Sequence, residues 1–268
     1  MSSTPDAVGP GRVPVWLLPH VFSLDAPVVA AVWQRFLGAA FGLSVPPAAT
    51  VGLFAVVWCI YLLDRLWDTR GPAHPHTDRH RYAAAHPNLL TALAVVSFLA
   101  GLGSVAFLTA RTILIGLGVA AAVGGYLLAV HGLKSRAGSR GWKELLVGVV
   151  FAAGVAVPVL AGTESFDCLP AIGSFGMACW WNCRLIDRWE EGRTTGRTVG
   201  RAIGLGAVAL AVFAPLPARI ALLAALGLLL LVDAVAPRLG LRAARVLADV
   251  VLLTPVPVWA VGASVAAE

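Results

Sequence analysis

Polar positions are confined to short stretches of this chain, and long stretches have no charge at all. No Asp, Glu, Lys or Arg occurs between Arg35 and Asp64, between Arg81 and Arg111, or between Arg111 and Lys134. The same holds between Glu144 and Glu164, Asp167 and Arg184, Arg201 and Arg219, and Asp249 and Glu268. Within these runs apolar residues do not alternate with polar ones, so strands of a membrane barrel are excluded. A spanning helix needs about 20 mostly apolar residues, and in hydrocarbon every backbone group must be satisfied within its own element. The pattern predicts nine transmembrane helices, at 16–36, 47–66, 89–109, 112–131, 144–161, 168–187, 199–215, 217–236 and 246–265. The expected architecture is all-α: a polytopic membrane helix bundle around a central cavity open to the cytoplasmic side. A polar, turn-rich tail at 1–14 precedes a single transmembrane domain at 15–268. The tail lacks a basic stretch followed by a short apolar core and a small-residue cleavage site, so no cleaved signal peptide is expected.

Composition agrees with the pattern. Hydrophobic residues make up 59% of the chain and charged residues 13%, about half the charged share of a soluble domain. The mean hydropathy is +0.83. The distribution of basic residues sets the orientation. Arg12 and the loops after the second, fourth, sixth and eighth spans hold 17 of the 20 Lys and Arg, leaving only Arg35, Arg111 and Arg219 elsewhere. The positive-inside rule then places the N-terminus in the cytoplasm and, with nine spans, the C-terminus outside. The pI of about 9.7 reflects this topology, and no nucleic-acid partner is expected. Cys59, Cys168, Cys179 and Cys183 lie in or near spans without metal-binding spacing and read as small buried apolar residues.

Two stretches carry the candidate chemistry. Residues 61–71 read YLLDRLWDTRG and residues 184–193 read RLIDRWEEGR. Asp64 and Asp68 are separated by one helical turn, as are Asp187 and Glu191, so each pair shares a helix face at the cytoplasmic boundary. Tyr61 joins the first face and Arg184 the second. If the two helix ends face each other, four carboxylates surround one cavity, an arrangement that is costly at membrane depth unless a cation is present. Hard oxygen ligands suit Mg2+ (or Mn2+) together with a substrate's phosphates, and neighbouring bases can hold the remaining phosphate oxygens. The simpler explanation of each pair alone is a set of helix-end ion pairs in the headgroup zone. His74, His76, His80 and His86 cluster with Asp78 in a proline-rich loop. They read as solvated histidines, although a metal site there is conceivable and the loop can also cap a site mouth. From that loop Arg79 and Arg81 can reach a diphosphate. Asn182, inside the sixth span, can order Asp187 or bond across helices. Trp58, Trp67, Trp180 and Trp181 either line a chamber on the two motif helices or pack and anchor them.

With these motifs in place, the sequence resembles the UbiA-type intramembrane prenyltransferase superfamily, whose members have about nine helices and a cytoplasmic N-terminus. The family's second-helix motif, Asn-Asp-x-x-Asp-x-x-x-Asp, aligns with IYLLDRLWD; Asp64, Arg65 and Asp68 match, and Ile60 and Tyr61 stand at the leading Asn and Asp. The sixth-helix motif aligns with DRWEEGRTTGRT, with Asp187 matching and Glu191 in place of the second Asp. HGLKSRAGSRGWKELLVGVVFAAG fits the family's loop into its fifth helix, with Lys134 at the matching position. The resemblance implies Mg2+-dependent transfer of a prenyl group from a prenyl diphosphate to a lipophilic or aromatic acceptor in a bacterial inner membrane. Asp64, Asp68, Asp187 and Glu191 would bind the metal and carry catalysis. Tyr61, Arg65, Arg79, Arg81, Lys134, Asn182 and Arg188 would bind substrate. A terpene cyclase of the same metal–diphosphate chemistry and a diverged non-enzymatic membrane protein are the alternatives.

Overall fold

The computed structural model describes residues 14–69, 78–132, 140–190, 192 and 197–265, and among these the secondary structure is entirely helical. A short 3-10 turn, Val15–Leu17, leads into α1 (Leu18–Val21), which bends by 79° into α2 (Asp25–Ala40). There follow α3 (Pro47–Asp68), α4 (Asp78–Ala85), α5 (Pro87–Val105), α6 (Ala110–Gly132) and α7 (Arg140–Gly162). Then come α8 (Leu169–Glu190), α9 (Arg197–Ala211), α10 (Leu216–Leu239) and α11 (Leu241–Val250). A second 3-10 turn, Val251–Leu253, separates α11 from α12 (Pro255–Val265).

Most apolar runs of the sequence fall on a single helix, but the first predicted span is broken at the α1–α2 bend and the ninth at the second 3-10 turn. Five stretches are long and apolar enough to cross a membrane: α3, α5, α7 from Lys143, α10, and the α11–α12 stretch to Val261. The bent α1–α2 pair would make a sixth. The first fifteen or so residues of α6 and all but the start of α9 are apolar but shorter. α8 is long enough, but its last turns carry Arg184, Asp187, Arg188 and Glu190. The outer surface suits hydrocarbon. On α5, Val96, Phe98 and Leu102 are about 60% exposed, a belt that a water-soluble bundle would bury. These features are consistent with a multi-pass membrane protein.

α2 sits at the centre of the packing. It touches α3, α7, α10, α11 and α12, and its Trp33 and Leu37 are fully buried. The Trp33 ring lies 4.6 Å from that of Phe175 on α8, so the bundle is filled with aromatic side chains at this level. α3 lies along α5, α7 along α8, and α8 along α9. Helix breaks inside an apolar bundle free backbone carbonyls, and these must be re-satisfied. Trp33 Nε1 donates to the Leu252 carbonyl in the second 3-10 turn at 2.6 Å. Thr254 Oγ1 donates to Ala221 O on α10 at 2.8 Å. At the α1–α2 bend, where Ser23 adopts φ 55°, Trp58 Nε1 of α3 donates to Phe22 O at 2.9 Å.

Small residues set the closest helix approach, as expected where packing rather than hydrophobic exclusion holds helices together. A Cβ placed on Gly148 of α7 would lie 2.6 Å from the Gly176 carbonyl and 3.0 Å from Trp180 on α8. Backbone cannot yield there. Gly124 of α6 has nothing within 4 Å of such a Cβ. Gly148→Ala should therefore destabilise the protein by about 1–3 kcal/mol through overpacking. Gly124→Ala should be neutral or stabilise it by up to about 1 kcal/mol through backbone entropy. Unfolding of both variants in mixed detergent–SDS micelles checks the pair, and equal effects would contradict this account of the α7–α8 contact.

Candidate functional site: a charged cluster at one end of the bundle

α3 runs apolar from Pro47 until its last two turns, and there Arg65 is buried beside Asp64 and Asp68. Its guanidinium lies 3.8 Å from Asp64 Oδ2 and 3.3 Å from Asp68 Oδ2. The two carboxylate side chains are 39% and 41% exposed. Thr69 ends the helix by donating its hydroxyl to Leu66 O. One turn earlier, Tyr61 lies within electrostatic reach of Arg65, Asp249, Cys179 and Cys183, so the inner face of α3 points towards α8 and α11.

The end of α8 is tied outward on several sides. Asn182 Nδ2 donates to Asp249 Oδ1 on α11 at 2.9 Å. Arg184 approaches Glu144 of α7 at 3.9 Å, and Asp187 lies within electrostatic reach of that same glutamate and of Cys183. Arg188 pairs with Asp233 of α10, to which Trp189 Nε1 also donates at 3.3 Å. Glu190 accepts from Arg245 of α11 at 2.7 Å and from Arg79 of α4 at 3.5 Å.

Arg79 of α4 reaches the end of α8. It meets Glu190 directly and lies within electrostatic reach of Arg65, Cys183 and Asp249. α4 packs on α1, α3 and α5, held by Ala83, which is fully buried, and by Tyr82, whose ring stands edge-on to Phe22 at 5.3 Å. Part of the stretch read as a proline-rich loop of solvated histidines is thus a helix packed onto the bundle.

The residues expected to form the site meet different fates. Tyr61 and Arg79 lie within electrostatic reach of Cys183 and Asp249, Asn182 bonds Asp249, Asp187 lies within reach of Cys183, and Arg65 lies within reach of Tyr61 and Arg79. Asp64 and Asp68 lie at the open rim with Arg65. Arg188 is engaged by α10, and Arg81 is exposed. Glu191, Lys134, His74 and His76 lie outside the described residues, as do the side chains of Asp78 and His80; His86 stacks on Tyr82 at 4.3 Å. Cys59, Cys168 and Cys179 are buried and Cys183 is half-buried.

Sequence reasoning passed over His20, Asp25, Glu144, Glu190, Asp233, Arg245 and Asp249. Most of these belong to the same charged end. Each acid among them that sits in an apolar helix would need a partner at that depth, and that requirement is the signal that could have singled them out. A separate apolar cleft of about 330 Å³ lies between α2, α3 and α5, lined by Ala31, Thr50, Phe54, Trp58 and Ser97 among others. It runs along α3 on the far side of Tyr61 from Asp64.

No family model matches the chain, and neither does any curated protein or solved structure.

If Arg79 fastens α4 to the site, Arg79→Ala should release that helix while the rest of the bundle stays intact. Amide exchange of residues 78–85 should speed up at least about tenfold, equivalent to a local loss of about 1.4 kcal/mol, and that of α3 and α8 should not change. Unchanged exchange in α4 would show that packing alone holds it.

Proposed function

We propose that the protein is an integral-membrane prenyltransferase that moves a prenyl group from a prenyl diphosphate to a lipophilic or aromatic acceptor. The observation that carries this reading is that carboxylates end both α3 and α8 with a guanidinium at each, Arg65 beside Asp64 and Asp68 and Arg79 against Glu190. Nine crossings, with the N-terminus and this charged end in the cytoplasm and the C-terminus outside, complete the reading; the basic loops support them.

The donor set fits a hard divalent cation. Asp64 and Asp68 offer exposed oxygens next to a guanidinium that already holds both side chains in place. Those two residues, with Asp187 and Glu191, would hold Mg2+. What such an ion supplies when bound there is neutralisation of the charge that builds on the departing pyrophosphate. Arg65 and Arg79 would hold phosphate oxygens that the carboxylates cannot approach, and Tyr61 would donate its hydroxyl to one of them. α4 would close over the diphosphate and limit water. The carbon–oxygen bond to the diphosphate breaks, a bond from the acceptor to the allylic carbon forms, and the acceptor gives up a proton. The cleft lined by Phe54 and Trp58 would receive the apolar tail, which need never enter water.

One observation favours a second reading, a diverged non-enzymatic membrane protein. Trp33 and Phe175 pack the bundle centre, and Arg184 and Arg188 are committed to neighbouring helices.

The proposal expects pyrophosphate release from a prenyl diphosphate only with Mg2+ or Mn2+. Asp64→Asn and Asp187→Asn should lower the rate by at least about 100-fold, the scale of losing a main source of charge stabilisation. In sealed vesicles, turnover should require substrate on the cytoplasmic face. A prenylated acceptor identifies the transferase, and a cyclic hydrocarbon or alcohol made without acceptor identifies a cyclase. Turnover insensitive to EDTA, or none across prenyl chain lengths, would sink the proposal.

A further inference from the structure

We propose that His20, Asp25 and Asp249 form a binding site for one borderline divalent metal ion, such as Zn2+ or Mn2+, distinct from the acidic pairs of α3 and α8. The three residues come from separate elements that converge at the α1–α2 bend. His20 lies in the last turn of α1, Asp25 begins α2, and Asp249 sits near the end of α11. His20 Nδ1 is 2.7 Å from Asp25 Oδ2 and 3.9 Å from Asp249 Oδ2, and one ligand atom from each of the three lies within 4.8 Å of the others. In a tetrahedral site with bonds near 2.0–2.1 Å, neighbouring ligand atoms stand about 3.3 Å apart. The two His20 separations fall on either side of that value, each about 0.6 Å away, so side-chain motion alone could admit an ion. The imidazole nitrogen among oxygens selects a borderline ion over Mg2+.

A second, independent observation points to a missing contact. Asn182 is 6% exposed, and its amide nitrogen holds Asp249 Oδ1, leaving Oδ2 turned to His20. Its amide oxygen is buried with no hydrogen-bond partner, which a folded protein rarely tolerates. An ion beside Asp249 would give this oxygen a partner, directly or through a bound water. Asn182 is then a positioning residue, acting on the ligand Asp249 as outer-shell partners do in metal sites. Charge agrees. Two carboxylates share one imidazole, with Arg79 within electrostatic reach of Asp249. The site stands or falls independently of the prenyl-transfer reading.

The test uses full-length protein carrying a non-histidine affinity tag, stripped with EDTA and titrated with Zn2+, with Co2+ as a spectroscopic probe. One equivalent per chain and a visible Co2+ absorption band are expected. His20→Ala and Asp249→Asn should each weaken binding by about 100-fold or more, and Asn182→Ala by about 10–100-fold. Asp64→Asn, Asp187→Asn, Cys179→Ser and Cys183→Ser should leave it unchanged. If His20→Ala does not elute as a monodisperse species, Asp25→Asn and Asp249→Asn carry the test. No stoichiometric uptake by the wild-type chain, equal uptake by the ligand variants, or loss of uptake in the cysteine variants would each overturn the site.

Discussion

A charge inside an apolar bundle must find its partner on another helix, because no water is there to solvate it. That constraint organises one end of this molecule. Glu190 joins α8 to α11 through Arg245 and to α4 through Arg79. Asp233 joins α10 to α8 through Arg188, and Asp249 joins α11 to α8 through Asn182. The apolar faces of these helices pack without strong directional preference, so the ionic and amide contacts select register and orientation. At the other end, Arg111 and Arg219 cap the carbonyls of Thr163 and Ala214.

The same constraint ties the helix breaks to function. A bend in a membrane helix leaves backbone groups that must be answered. Here Trp58 and Trp33 answer them from neighbouring helices. The α1–α2 bend brings His20 to Asp25, and the short turn after α11 leaves Asp249 beside both. Polar side chains thus collect where backbone regularity fails, next to the tyrosine and arginines of α3 and α4.

The helices were legible because length without charge is a local property. The apolar run after Arg35 fixes the level of α3, and its proline pair, Pro46–Pro47, fixes where α3 begins. α9 is shorter than the 199–215 expected, ending at Ala211, because the residues ahead of Pro215 turn instead of continuing the helix. Tyr61, Arg65, Asn182 and Asp187 could be read from their spacing on two helices. Asp233 and Asp249 could not, because their partners lie 45 and 67 residues away, and spacing along one helix carries no information about which helix lies opposite. The acids of α8 show the same limit. Spacing joins Asp187 to Glu191, whereas packing brings Glu190 to Arg79 and Arg245.

The claim beneath all of this is that interhelical charge pairing, rather than apolar contact alone, fixes the charged end. A double-mutant cycle on Glu190 and Arg245 measures it most directly, with Glu190→Ala, Arg245→Ala and the double variant unfolded in mixed detergent–SDS micelles. The account predicts a coupling energy of about 1–3 kcal/mol, the range of residues sharing one polar network. Single-variant effects that add to within about 0.3–0.5 kcal/mol would contradict it and leave the cluster as solvated side chains at the ends of a bundle assembled by packing alone.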